Sequence, residues 1–158
     1  MTPTLCDQNE NSLAKERHSL RQIALKALGR REYSYWELQQ KLLTKSENSQ
    51  LITAVLDKLK SEQLLDDIRF TEAYVRMRSN RGYGPIRIQI ELRNRGIADE
   101  TINEIIDAKK PEWQQLAISA RKKRFGSQIP KDLQERAKQM RFLEYRGFSH
   151  QHCRSAFC

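Results

Sequence analysis

The feature that most constrains this chain is a repeat. A shift of about 50 positions lays Tyr33 on Tyr83, Leu38 on Ile88 and Leu42 on Leu92, and a further shift of similar size lays Arg95-Gly96-Ile97 on Arg146-Gly147-Phe148. Recurrence at that length means small supersecondary units, each too short to bury much apolar surface alone, which stack on their neighbours. Within the units the apolar period is helical. Leu20, Ile23, Ala24, Ala27 and Leu28 share one helix face, and Ile52, Val55, Leu56 and Leu59 share another. Ser34-Tyr35-Trp36-Glu37 reads as a capping box, with Tyr33 and Leu38 at the staple positions around it.

The second unit restarts the pattern. Asp67 is placed to cap a helix whose face is Phe70, Ala73, Tyr74 and Met77. Gly84-Pro85 reads as a helix start, Gly96 as a left-handed stop, and Asp99 as the cap of a helix facing inward through Ile102, Ile105 and Ile106. In the third unit, Pro111 precedes a helix with Trp113, Leu116, Ala117 and Ala120 inward. Pro130 starts another with Leu133, Ala137, Met140 and Leu143 inward, and Gly147 ends it. Ser149 caps a last short helix, with Phe148 and Cys153 as its staple. Trp36 and Trp113 are both expected in the core. Ile86, Ile88, Ile90 and Leu92 alternate with polar residues as a strand would. The repeat assigns them to a helix, because the matching segment Tyr33–Leu42 is helix-forming and a lone strand would leave its backbone groups unpaired.

The expected fold is all-α, with three tandem three-helix modules at 16–65, 66–109 and 110–158 stacked into an elongated, curved body, preceded by a disordered polar tail over 1–15. Composition narrows the function. The 29 Lys and Arg outnumber the 20 Asp and Glu for a net charge of +9, which favours a polyanionic partner. No apolar run approaches the roughly 18 residues of a membrane span, and the N-terminal stretch has no secretory signal. The three cysteines, Cys6, Cys153 and Cys158, make no disulfide framework, so a reducing cytoplasm is expected.

With the triplicated pattern in hand, the chain resembles the RecX family, regulators of the bacterial RecA recombinase. The matching residues are Asp66-Asp67-Ile68-Arg69-Phe70, then Gly82-Tyr83-Gly84-Pro85 with Arg87-Ile88, Glu91-Leu92 and Gly96-Ile97, then Arg141-Phe142-Leu143 and Tyr145-Arg146-Gly147-Phe148. The resemblance implies a non-enzymatic regulator, mainly an inhibitor, that binds the RecA–DNA filament and acts on its growth, strand exchange and ATPase in recombinational repair and the SOS response. Single- and double-stranded DNA are implied partners. A monomer with no cofactor is expected.

The residues expected to meet filament or DNA are Arg76, Arg78, Arg81, Arg87, Arg93 and Arg95 in the second module, and Arg121, Lys122, Lys123, Arg124, Arg141 and Arg146 in the third. Lysine is absent between Arg69 and Arg95, and arginine offers a fixed fork of donors for phosphate or carboxylate. The competing reading of each is a solvated helix face paired with neighbours such as Glu72 and Glu91. Arg121-Lys122-Lys123-Arg124 cannot all face one way, since helical neighbours turn by about 100°. Part of the run suits the helix C-terminal dipole and part could meet DNA. Gly82, Tyr83, Gly84, Pro85, Gly96 and Gly147 are read as structural turns, with Tyr83 packing as Tyr33 does. His150, His152 and Cys153 are too close on one short helix to converge on zinc. There is no phosphate-binding Gly-x-x-x-x-Gly-Lys loop, and Asp66-Asp67 reads as helix capping. The alternative function is a stand-alone helix-turn-helix DNA binder using Arg87 to Ile106. The acidic second helix of that segment suits DNA badly.

Overall fold

The computed structural model describes residues 4–158, and among these every regular element is helical. The order is α1 (Leu5–Leu28), α2 (Tyr35–Leu43), α3 (Ser49–Ser61), α4 (Asp67–Asn80), α5 (Pro85–Arg93), α6 (Asp99–Ala108), a 3-10 turn (Lys110–Glu112), α7 (Trp113–Phe125), α8 (Leu133–Tyr145) and α9 (His150–Ser155). Two compact units result, one ending at Phe70 and the other spanning Thr71–Cys158.

In the first unit, α1, α2 and α3 close over Leu20, Ala24, Leu38, Leu42, Ile52, Leu56 and Leu59. The Ser34 hydroxyl accepts from the Glu37 amide and the Glu37 carboxylate accepts from the Ser34 amide, so the expected capping box is present. Two expectations fail. Residues 5–15 are helical rather than disordered, while residues 1–3 of that tail lie outside the described residues. Thr4 begins this helix, its amide donating to Asp7 Oδ2 at 3.2 Å. Its first turns are exposed and rich in weak helix formers (Cys6, Asp7, Asn9, Asn11 and Ser12), and stronger ones follow from Leu13 to Glu16. Trp36 is 44% exposed because the short α2 buries the stripe through Leu38 and Leu42, and Trp36 lies off it.

The cap between the units also differs from expectation. Asp66, not Asp67, caps α4, its Oδ1 accepting from the amides of Ile68 and Arg69. Asp67 instead accepts from the Tyr35 amide at 2.8 Å and so serves the N-terminus of α2. Before this cap, α3 ends through Gln63 at φ 59, with the Leu64 amide returning to the Leu59 carbonyl at 3.0 Å. A left-handed C′ residue is where glycine is favoured.

In the second unit, Ile88 and Leu92 are buried while Ile86 and Ile90 are half exposed. The alternation that suggested a strand is therefore two i,i+4 pairs on different faces of α5. The inward face of α4 is Phe70, Thr71, Val75 and Ser79 rather than the stripe ending at Met77, which is exposed. α6 starts at Asp99 with the extended Ala98 at its cap position and no side-chain cap, and the Asp99 carboxylate pairs with Arg93. α8 starts at Leu133, capped by the Asp132 carboxylate on the Glu135 amide, and not at Pro130. Leu133 and Ala137 face solvent and Gln139 is buried instead, while Leu143 is buried as expected.

The second and third repeats meet through backbone. The Gly84 amide donates to the Arg146 carbonyl at 2.8 Å and the Ile86 amide to the Gly147 carbonyl at 3.0 Å. Unpaired amides at the start of α5 are thus satisfied by unpaired carbonyls at the end of α8. The approach excludes side chains. A Cβ on Gly84 would lie 2.4 Å from the Phe148 nitrogen, and one on Gly147 would lie 2.4 Å from the Arg87 Cβ. Gly147 also takes φ +94, the left-handed stop expected from its position.

Two substitutions separate steric from conformational roles. Gly84 has an ordinary φ of −92, so Gly84→Ala tests contact alone and is expected to destabilise the chain by about 2–3 kcal/mol in chemical denaturation. Gln63→Gly relieves a left-handed side chain and is expected to stabilise by about 0.5–1 kcal/mol in the same assay.

Candidate nucleic-acid interface

The turn between α4 and α5 places Tyr83 among three guanidinium groups. The carbon atoms at the centres of Arg78, Arg146 and Arg87 lie 3.7, 4.6 and 4.8 Å from its ring centroid. Tyr83 therefore packs, as Tyr33 does under Arg31 at 3.7 Å, but its neighbours are charges and not an apolar core. Gly82, at φ +84, turns the chain out of α4, and Pro85 occupies the first position of α5 after the Gly84 cap. Gly96 ends α5 at φ +75.

One carboxylate organises the cations beside this ring. Glu91 accepts from Arg78 through two nitrogens, at 2.7 and 2.5 Å, from the Tyr74 hydroxyl at 2.8 Å and from Arg87 Nε at 3.2 Å. Burial pushes the Glu91 carboxyl upward, but the hydrogen bonds from Arg78, Tyr74 and Arg87 outweigh it and hold the group below its ordinary range. Burial and the bond to Glu91 together push the Tyr74 hydroxyl up to about 12. Arg95 donates to the Glu91 carbonyl at 2.9 Å and lies over the Tyr74 ring. Arg93 pairs with Asp99 at 2.6 Å.

Ten of the twelve expected cations fall into two groups. Arg78, Arg87, Arg93 and Arg95 are engaged within the chain. Arg76, Arg81, Lys122, Lys123, Arg124 and Arg141 are exposed, and among the described residues no carboxylate pairs with them. Arg146 is half-buried between the rings of Tyr83 and Phe142 and donates to the Arg81 carbonyl at 3.2 Å. No acidic residue occurs from Trp113 to Lys131, which is why the exposed cations of α7 lack partners on their own helix.

Arg121 belongs to neither group. It is 1% exposed, and its guanidinium donates to the carbonyls of Ala156 at 2.9 Å and Gln128 at 3.2 Å and reaches Gln139 Oε1 at 3.4 Å. A buried charge held by carbonyls near two helix C-termini joins α7 to α8 and α9 and cannot meet a partner. This removes Arg121 from the expected contact set. The basic run divides as helical geometry requires, with Arg121 inward and Lys122, Lys123 and Arg124 outward.

The remaining candidates resolve simply. Cys153 is buried, its thiol donates toward the Phe148 carbonyl, and burial pushes it up to about 11, an unreactive thiol. His150 faces solvent beside Glu144. Among the described residues no three His, Cys, Asp or Glu side chains are grouped to hold a metal ion. α6, the second helix of the helix-turn-helix alternative, exposes Glu100, Glu104 and Asp107. Sequence reasoning missed Tyr74 and Glu91 as the hub. The Arg87–Glu91 spacing signals an i,i+4 pair, but the stronger Arg78–Glu91 pair depends on the turn and has no local signal.

Because the Glu91 carboxyl is lowered in the folded chain, its stabilisation is present above the ordinary value of 4.5 and is lost as pH falls through the lower folded value. Glu91→Gln is expected to cost about 2 kcal/mol at neutral pH, since Arg78 is left half-buried without its counter-charge. In denaturation across an acid series, the gap between the two proteins should narrow below pH 4.5.

Comparison with known proteins agrees with this architecture. Three family profiles match in order: the first three-helix domain of RecX over residues 21–59, the second over 66–106 and the third over 111–157. The regulatory protein RecX of Halorhodospira halophila is 41% identical over 138 residues, covering 87% of this chain and 86% of its own. That of Pseudomonas putida is 38% identical over 130 residues, covering 82% and 83%. The crystal structure of RecX from Lactobacillus salivarius superposes with a TM-score of 0.77 at 20% identity, covering 90% of this chain and 95% of that one. With three ordered domain matches and relatives aligned over most of its length, this chain belongs to the RecX family of regulatory proteins.

Proposed function

We propose that this protein regulates the RecA recombinase, mainly as an inhibitor, by binding the RecA–DNA filament through the exposed cations of Thr71–Cys158. The observation that carries the reading is the sorting of charge in this unit. Arg78, Arg87 and Arg93 are neutralised by Glu91 and Asp99, while Arg76, Arg81, Lys122, Lys123, Arg124 and Arg141 carry charge with no acidic partner among the described residues. Such a surface attracts phosphate and acidic protein together, and both are present on a protein-coated strand. Membership in a family whose relatives are named regulatory proteins supports a role without catalysis. The protein acts in this reading as a cytoplasmic monomer, with DNA in single- and double-stranded form as part of the bound surface. Its effects fall on filament growth, strand exchange and coupled ATP hydrolysis.

Stoichiometric addition to RecA should depress strand exchange and DNA-dependent ATP hydrolysis. The triple variant Lys122→Gln, Lys123→Gln, Arg124→Gln removes three exposed charges without placing acid in the last turn of α7, and should bind filaments at least about tenfold more weakly, with a shallower salt dependence. Unchanged RecA activity at stoichiometric amounts of the unaltered protein rules the reading out.

A further inference from the structure

Four cations of the second unit converge on one cleft. Arg81 at the turn after α4, Lys123 and Arg124 on α7, and Arg146 at the end of α8 border a cavity of about 410 Å³, and no carboxylate lines it. Gathering like charges in this way raises their mutual repulsion, which an anionic ligand relieves. Part of the lining is apolar. The Phe142 ring lies in it, held edge-on to Phe125 with centroids 5.2 Å apart, and the Arg146 guanidinium stands 5.0 Å from the Phe142 centroid.

We infer that this cleft holds one nucleotide of single-stranded DNA, with its phosphate on Arg81, Lys123 and Arg124 and its base against the Phe142 ring. The inference rests on the nucleic-acid part of the reading above and names what that surface takes. The volume falls within the roughly 300–1,000 Å³ of small-ligand pockets. An acidic side chain would satisfy the cations but leave the aromatic wall unused. A base stacked in a duplex cannot enter a cleft, whereas a base in a single strand can turn out of its stack. An aromatic ring offers a flat face that accepts any base, so strand binding without sequence preference is expected.

The test compares anisotropy titrations of the full chain with a thymidine oligomer and with an abasic phosphodiester oligomer of equal length. The thymidine oligomer should bind about 5- to 100-fold more tightly, as one stacked base predicts. Phe142→Leu should abolish that preference while leaving the salt dependence in place. Ser119→Gln, at an exposed α7 position on the cleft, fills space there without adding charge and should weaken the thymidine oligomer more than the abasic one. Equal affinity for the two oligomers overturns the inference, as does a preference that survives both substitutions. Displacement of the oligomer by thymidine monophosphate at equal nucleotide concentration overturns the assignment to a strand. RecA strand exchange measured on the same proteins separates the two readings. Base-dependent strand binding without any effect on RecA sinks the regulatory reading and sustains this one, while RecA inhibition without base dependence does the reverse.

Discussion

The second unit depends on the junction between the start of α5 and the end of α8. Helix ends leave amides and carbonyls unpaired, and here the Gly84 and Ile86 amides meet the Arg146 and Gly147 carbonyls. The junction works only because neither glycine carries a side chain, since a Cβ on either would sit within 2.6 Å of the other segment's backbone. It sets Arg146 beside Tyr83 and so brings cations from two repeats to one ring. It also sets the end of α8 next to the turn after α4, and the cleft bordered by Arg81 and Arg146 follows from that placement.

Charge in this unit is sorted by geometry rather than by abundance. Glu91 accepts from three donor side chains and neutralises the arginines nearest the Tyr83 turn. Arg121 is satisfied without any acid, by the carbonyls of Ala156 at the end of α9 and Gln128 in the loop after α7. What remains outside is Arg76 on α4, Arg81 at the turn, Arg141 on α8 and the three cations of α7, the one of these helices without an acidic residue. On α7 charge is exposed because local partners run out.

Much of the fold was legible before any coordinates. The capping box at Ser34 and the glycine stops at Gly96 and Gly147 rest on short-range rules, the helical reading of Ile86–Leu92 rests on the repeat against a strand-like local pattern, and the structure agrees with each. Errors arose where local signals were ambiguous. Asp66 and Asp67 are equally good caps by type, and only the approach of α2 assigns Asp67 to Tyr35. Trp36 and Leu133 are large and apolar, yet type alone does not decide burial on short helices with one covered face. Of the site, the arginine enrichment and the role of the glycines were readable, but which arginines are neutralised was not.

Period, capping chemistry and glycine placement act within a few residues of the chain, so the sequence by itself determined an all-helical chain of repeated three-helix units and where most helices begin and end. Which charges remain available was decided only in the tertiary structure. Arg78 meets Glu91 across a turn, and Arg121 reaches Ala156 from another helix. Electrostatic pairing depends on distance in space, and no spacing rule along the chain contains that distance.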